Sequence, residues 1–406
     1  MFESIKNKTI FANKYKAHPE AIIISCFFNP TNSPYRTKAF NIFRRSIKHL
    51  NHKIIECVIG DATPELEESA NVKRVYTKNL LWHKESLLNN VIAELPKKYK
   101  YIFWVDADVI FTNLNWIVDG VEELKNNNII QPFEHCVHLD RDETEPSFDM
   151  NKLIYHKFPN RINSKVWRSF CANFATGLSY KSENYNEHGH VGFAWAARRD
   201  VLDRVPLYDR ALIGGADHIM AHAAAGQIGC SCIAKSFTDD IEEVKKWSYD
   251  FYTVVNKEIS YVKGSLYHIW HGDIEKREYL KRVQDFTAKT KNITEKDANG
   301  LYVTADKENE AYMKNYFNHR EVKPREFERN ISDDNFMQSV AMGYVTDSTI
   351  LGTVLGGNPL GAALGDMLND SDKSSHSNDE QPAIEHNHSN HNDTLSNGET
   401  YQNNFS

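Results

Sequence analysis

Short apolar runs separated by amphipathic stretches constrain this chain more than any other feature. Ala21–Phe27 (AIIISCF) and Tyr101–Val105 (YIFWV) are β-branched and aromatic, continuous rather than alternating, and only five to seven residues long. That is the signature of strands buried on both faces, as in a parallel sheet covered by helices. Ile54–Ile59 reads as another strand, Val72–Tyr76 as a short one, and Ile129–Pro132 as one more. Between them, Phe40, Phe43, Ile47 and Leu50 share one helical face. Ser33-Pro34 ahead of them suits a cap followed by the first helical position. Leu87, Leu88, Val91, Ile92 and Leu95 form a second apolar face, ended by Pro96, and Leu114–Leu124 a third. Strand alternating with helix predicts an α/β fold with a doubly wound, mostly parallel sheet. Ligands of such sheets sit beyond the carboxyl ends of the strands.

Beyond Glu134 the pattern turns polar and aromatic until about Glu187, which reads as an insertion suited to acceptor recognition. Regularity returns at Val191–Arg198, at a helix near Ala216–Ala225, and from Ile274 to Phe286. The organisation expected is a catalytic domain over 1–290, a charged helical or linker extension over 291–340, a Gly-rich apolar segment over 341–368, and a disordered acidic tail over 369–406. Gly352, Gly356, Gly361 and Gly365 recur among Leu, Val and Ala, a pattern for helix packing, self-association or membrane-surface contact. Pro359 argues against a span.

Composition excludes some classes. The chain is 41% hydrophobic and 25% charged, an ordinary globular balance. Its net charge of −7 is matched by the stretch from Gly365 to Ser406, with eight acids and one lysine. The remainder is near neutral and offers no global field for nucleic acid, although a local basic groove is compatible with it. The polar N-terminus, MFESIKNKTIFANKYK, lacks the apolar core of a secretory signal. The six cysteines are scattered, and Cys230 and Cys232 are one residue apart, not the spacing of a C-x-x-C site. Reduced thiols and a cytoplasmic location are expected.

Four segments carry chemistry. Asp106-Ala107-Asp108 follows the apolar strand YIFWV. Two carboxylates there suit Mg²⁺ or Mn²⁺, which can bridge a diphosphate and neutralise a leaving group. The plainer reading is a helix cap and a turn acid. Leu81-Trp82-His83-Lys84-Glu85, with Asn89, lies just before that strand. Lys84 could meet a phosphate and Asn89 a ribose or sugar hydroxyl, or Lys84 could form a helix-start salt bridge. In LIGGADHIM, Gly214 and Gly215 permit the backbone to approach a ligand closely. Asp217 could be a general base toward an acceptor hydroxyl, or an acid favoured at a helix N-terminus. In YHIWHGD, His268 and His271 are possible metal ligands, and His271, directly before Gly272, is the preferred one. His188-Gly189-His190 reads either way, and the tail histidines His376, His386, His388 and His391 read as incidental.

The ordered set of strand, D-x-D, small-residue strand, G-G-x-D and a later histidine resembles the GT-A (Rossmann-like) glycosyltransferases. Bacterial and phage members with a first strand like SCFFNP, a segment like WHKESLLN and one like HIWHG are most similar. The resemblance spans Ala21 to about Phe286. It implies a nucleotide-sugar donor such as a UDP-sugar, with Asp106 and Asp108 on Mn²⁺ or Mg²⁺. It implies that GFAWAARR, with Trp195, and Gly214-Gly215 border the donor sugar and acceptor. Asp217 matches the acid of the G-G-x-D/E segment of inverting members, but His218 stands where related segments carry a second acid. The acceptor implied is a surface glycan or lipid carrier, or a hydroxylated base of phage DNA. Two other readings fit part of the pattern: a HAD-like phosphatase with Asp106 as nucleophile, and a non-catalytic transferase-like binding module.

Overall fold

The computed structural model describes residues 15–141, 143, 165–177, 188–236, 241–273, 275–277, 282 and 293–321. In chain order these form β1 (Ala21–Phe27), α1 (Pro34–Ile47), β2 (His52–Ile59), β3 (Val72–Thr77), α2 (Lys84–Glu94), β4 (Tyr101–Val105) and β5 (Val109–Phe111). Then follow α3 (Trp116–Leu124), β6 (Ile129–Gln131), β7 (His135–His138), β8 (Val166–Arg168), α4 (Phe170–Ala175), β9 (Ala194–Arg198) and α5 (Arg199–Arg204). The last are α6 (Ala216–Ala224), α7 (Ser231–Ser236), α8 (Ile241–Val255), β10 (Ile259–Tyr261), β11 (Ser265–His268) and α9 (Lys307–Arg320).

The main sheet has the order β10-β6-β9-β4-β1-β2-β3. Its pairs are parallel except those of β9, which runs antiparallel to β4 and β6. The expected α/β, mostly parallel, doubly wound sheet is therefore present. Side chains of β4 alternate between two cores, as a strand's two-residue period requires. Phe103 and Val105 join Phe40, Phe43 and Trp116 on one face. Ile102 and Trp104 join Leu87, Leu88, Val91 and Phe251 on the other. Ser33 precedes α1 as expected, but its side chain makes no cap bond; its N–H donates to Asn29 Oδ1 at 2.9 Å.

The chain runs β1, β2, β3 to one side of the sheet and then returns to place β4 on the other side of β1. The carboxyl ends of β1 and β4 thus frame the switch point where open α/β sheets bind ligands. A second, four-stranded sheet, β5-β11-β7-β8, stands beyond that point. Its strands are three or four residues long, too short for a periodic signal, and part of it falls where an irregular insertion was expected.

The boundary expected near 290 does not separate packing units. Met313, Tyr316 and Phe317 of α9 share a buried cluster with Leu81, Leu212, Ala216 and Ile219. Asp306 caps α9 by accepting from the Glu308 N–H at 2.8 Å. Most of the helix expected over Ile274–Phe286 lies outside the described residues, with Glu275–Arg277 forming one 3₁₀ turn. The segments 341–368 and 369–406 also lie outside them. Among the described residues no helix is long and apolar enough to cross a membrane.

Candidate active site

Asp106 and Asp108 lie where the chain leaves the main sheet for the small one, between β4 and β5. Both ends of the triplet are pinned through the backbone: Asp106 N–H donates to Phe193 C=O at 2.7 Å, and Ile269 N–H to Asp108 C=O at 2.8 Å. The antiparallel pairing of β5 with β11 sets His268 opposite Val109, one residue from Asp108. His271 follows after a turn completed by Gly272, whose φ of 136° favours glycine. The result is three ligand atoms converging. His271 Nε2 is 2.9 Å from Asp108 Oδ2, His268 Nε2 is 3.7 Å from it, and the two Nε2 atoms are 3.3 Å apart. Behind them, His138 Nδ1 lies 3.3 Å from His268 Nδ1 and fixes its ring from the far side.

These three atoms lie around one spot, and the structure holds a positive charge there. Arg277 Nη2 is 3.1 Å from His268 Nε2 and 2.9 Å from His271 Nε2. Asp108 Oδ1 is buried without a hydrogen-bond partner. One carboxylate and two imidazoles, gathered around a cation and with a carboxylate oxygen to spare, fit a divalent ion such as Mn²⁺.

Asp106 belongs to a different set. Lys84, the first residue of α2, places Nζ 2.8 Å from Asp106 Oδ1 and 3.2 Å from Asp217 Oδ2. Burial would lower the Lys84 pKa, but Asp106 and Asp217 outweigh it and hold it well above the usual lysine range. Burial pushes the Asp106 carboxyl up to about 6 against the pull of Lys84, with Asp108 and Asp217 adding to the rise. Glu85 is buried beside this triad, and desolvation raises it to about 8, so it carries its proton at neutral pH.

Asp217 occupies the first turn of α6, preceded by Gly214 and Gly215 at φ of 85° and 100°. A Cβ on Gly214 would lie 3.0 Å from Arg282 Nη2 and 3.3 Å from the Trp82 indole, so the backbone there packs close against these two side chains. His218 turns away from the site, with Nε2 3.3 Å from Cys232 Sγ.

A cleft of about 840 Å³, open mouth included, runs from the ends of β1 and β4 to Asp108 and His271. Phe27, Phe28, Phe40 and Trp82 give it apolar walls, and Arg36 of α1 lines it. Burial, and then the like charges of Arg320 and Arg277, push Arg36 down to about 9. It stays protonated, and an anion bound among these arginines would relieve the repulsion. Helix α9 closes one side: Phe317 stacks on Trp82 at 6.2 Å and 12°.

Five expected residues thus come together: Lys84, Asp106, Asp108, Asp217 and His271. Two do not. Asn89 clamps a loop, donating to Leu207 C=O at 2.8 Å and accepting from Leu207 N–H at 2.9 Å. Trp195 is 1% exposed; the β9 register sets it opposite Trp104 in the core, and its indole donates to Val191 C=O at 2.7 Å. Sequence reasoning gave no role to Arg36, Arg277 or Arg320. Arg36 carried a usable signal, since it opens the helix after the first strand. The other two stand on elements of no recognisable motif.

No protein-family model matches the chain, and no curated protein matches it. Solved structures with a similar arrangement include a mutant Drosophila β1,4-galactosyltransferase 7 with manganese, UDP-Gal and xylobiose, at 10% identity, 69% of this chain, 83% of that one and a TM-score of 0.32. Another is the Mycobacterium tuberculosis glucosyl-3-phosphoglycerate synthase with Mn²⁺, UDP-glucose and phosphoglyceric acid, at 12% identity, 71% and 81% coverage and a TM-score of 0.30. A third is a Pyrobaculum calidifontis mannosyltransferase with GDP-mannose and Mn²⁺, at 13% identity, 91% of each chain and a TM-score of 0.34. Similarity this distant leaves the reaction to the site's own chemistry.

Proposed function

We propose that the protein is a metal-dependent glycosyltransferase that moves a hexosyl or pentosyl unit from a nucleotide-sugar, of the UDP-sugar type, to a hydroxyl acceptor. The observation that carries this reading is the convergence of Asp108, His268 and His271 at the mouth of an aromatic and arginine-lined cleft at the β1/β4 switch point. Asp108, His268 and His271 would hold Mn²⁺ or Mg²⁺, which supplies charge neutralisation for the departing diphosphate. Asp106, expected as a second ligand, is assigned instead to the Lys84 pair.

The chain's own groups divide the remaining work. The walls of Phe27, Phe28 and Trp82 suit a base, and Arg36 with Arg277 suits the diphosphate. Lys84 holds Asp106 and Asp217 at fixed separation on the sugar side. In the transfer, the acceptor oxygen forms a bond to the anomeric carbon as the bond from that carbon to the diphosphate oxygen breaks. The electron pair leaves with the diphosphate, and the hydroxyl proton passes to Asp217. A single displacement of this kind inverts the anomeric centre.

Phosphatase chemistry would instead use Asp106, 2.8 Å from Lys84 Nζ, to attack phosphorus, and would turn over phosphomonoesters. The test is a screen of UDP- and GDP-sugars with purified protein and Mn²⁺, scored for released nucleotide. Mass spectrometry of glycan, lipid-carrier and hydroxymethylated DNA acceptors would then follow. Metal-stimulated release of UDP, absent in chelator, supports the proposal. Turnover of phosphomonoesters without nucleotide release refutes it.

A further inference from the structure

A second cluster gathers around α6 and α7, drawing on His188, which the sequence left open, and on a cysteine pair whose spacing suggested no site. His188, His222, Cys230 and Cys232 bring one ligand atom each within 4.8 Å of one another. Cys232 Sγ is 3.5 Å from His222 Nε2, 3.6 Å from His188 Nδ1 and 3.0 Å from Cys230 Sγ. His188 Nδ1 is 3.1 Å from His222 Nε2. A tetrahedron with zinc–sulfur bonds of ~2.3 Å and zinc–nitrogen bonds of ~2.0 Å has edges of roughly 3.3–3.8 Å. The set already approaches that size before any ion draws it together.

Each of the four groups can turn a lone pair to a common point once its thiol proton is lost or its imidazole proton sits on the other ring nitrogen. The cluster is buried: His222 is 0% exposed, His188 1% and Cys232 5%. Both cysteines are free thiols.

We infer that His188, His222, Cys230 and Cys232 form a structural zinc site, closed and four-coordinate, with the His218 ring donating to the Cys232 thiolate from outside. Thiolate and imidazole together select zinc over the oxygen-seeking Mg²⁺ and Mn²⁺. Four protein ligands leave no open position, so the ion has a structural role. His218 and His222 lie one turn apart on α6, and the cysteines open α7. The unexpected Cys-x-Cys spacing works because two other segments supply the imidazoles.

The site ties three segments together next to the proposed catalytic centre. From His222, α6 runs back to Asp217 at its first turn. From His188, the chain leads to Gly192, where a Cβ would lie 3.8 Å from Asp217 Oδ2. Zinc therefore fixes the placement of Asp217, although the inference stands independently of the reaction.

The experiment is elemental analysis of the intact protein expressed with zinc, beside Cys230→Ser/Cys232→Ser and Asp108→Ala. One tightly held zinc per chain is expected in the wild type and in Asp108→Ala, and none in the double variant. The double variant should melt roughly 10 °C lower, as the loss of a bound structural ion implies. Should it fail to fold, the wild type grown on cobalt still decides the matter. Cobalt must show tetrahedral visible bands and a thiolate charge-transfer band, and both cysteines must resist alkylation until metal is stripped. Zinc-free native protein with both thiols alkylated, or with Cys230 and Cys232 joined as a disulfide, overturns the inference.

Discussion

Two of the histidine clusters among the described residues are built from similar parts in different settings. Around Asp108, two imidazoles and one carboxylate open onto a cleft, with Arg277 among them. Around Cys232, imidazoles and thiols close on themselves behind α6. Hard oxygen, an open side and a neighbouring guanidinium suit an ion that must accept and release a diphosphate. Soft sulfur and a closed shell suit one that stays. Neighbours in sequence part company here, since Asp217 meets Lys84 while His218 meets Cys232.

Experiments that separate the clusters should show effects of graded size. Asp108→Ala removes the carboxylate from the open cluster, and transfer should fall about 1,000-fold, the loss of ~4 kcal/mol of charge stabilisation. Steady-state assays check this, and a variant with full activity would end the metal assignment. Brief chelation at room temperature should abolish transfer reversibly on Mn²⁺ addition while leaving zinc bound. Loss of both ions together would erase the distinction between open and closed sites.

Lys84→Met should cost about 10- to 100-fold in kcat/KM, the range for removing hydrogen bonds to charged groups. It also leaves Asp106 and Asp217 to repel each other, so the pH profile should move as well as the rate. An unchanged profile would mean that Lys84 does not organise the acids.

A last effect bears on stability rather than rate and concerns Glu85, which lies on neither cluster. Its carboxyl is raised by burial from an ordinary 4.5 to about 8. The folded protein therefore keeps a proton that the unfolded chain loses, so this contribution to stability is full below about 4.5 and is lost as pH rises through about 8. Glu85→Gln keeps the neutral shape, so its melting temperature should fall less between pH 5 and 8 than that of the wild type. Parallel melting curves would show that Glu85 ionises normally.

The sequence by itself determined the main sheet and the position of its acids. Continuous apolar strands such as YIFWV report burial on both faces locally, and the acids that follow them must emerge at a strand end. Lys84 and Asp217 were legible because a helix start places its first residues at the same sheet edge. Tertiary structure alone decided which acid faces which partner. Asp108 meets His268 and His271 only because β5 pairs with β11, two short strands some 150 residues apart that carry no periodic signal. Asp106 meets Lys84 instead. Asn89 read as a donor contact from its residue type and Trp195 from the resemblance, yet a loop claimed the first and strand register buried the second. The zinc cluster was hidden for the same reason. Its ligands are spread over three segments, and only the packing of α6 against the Cys230–Cys232 turn brings their lone pairs to one point.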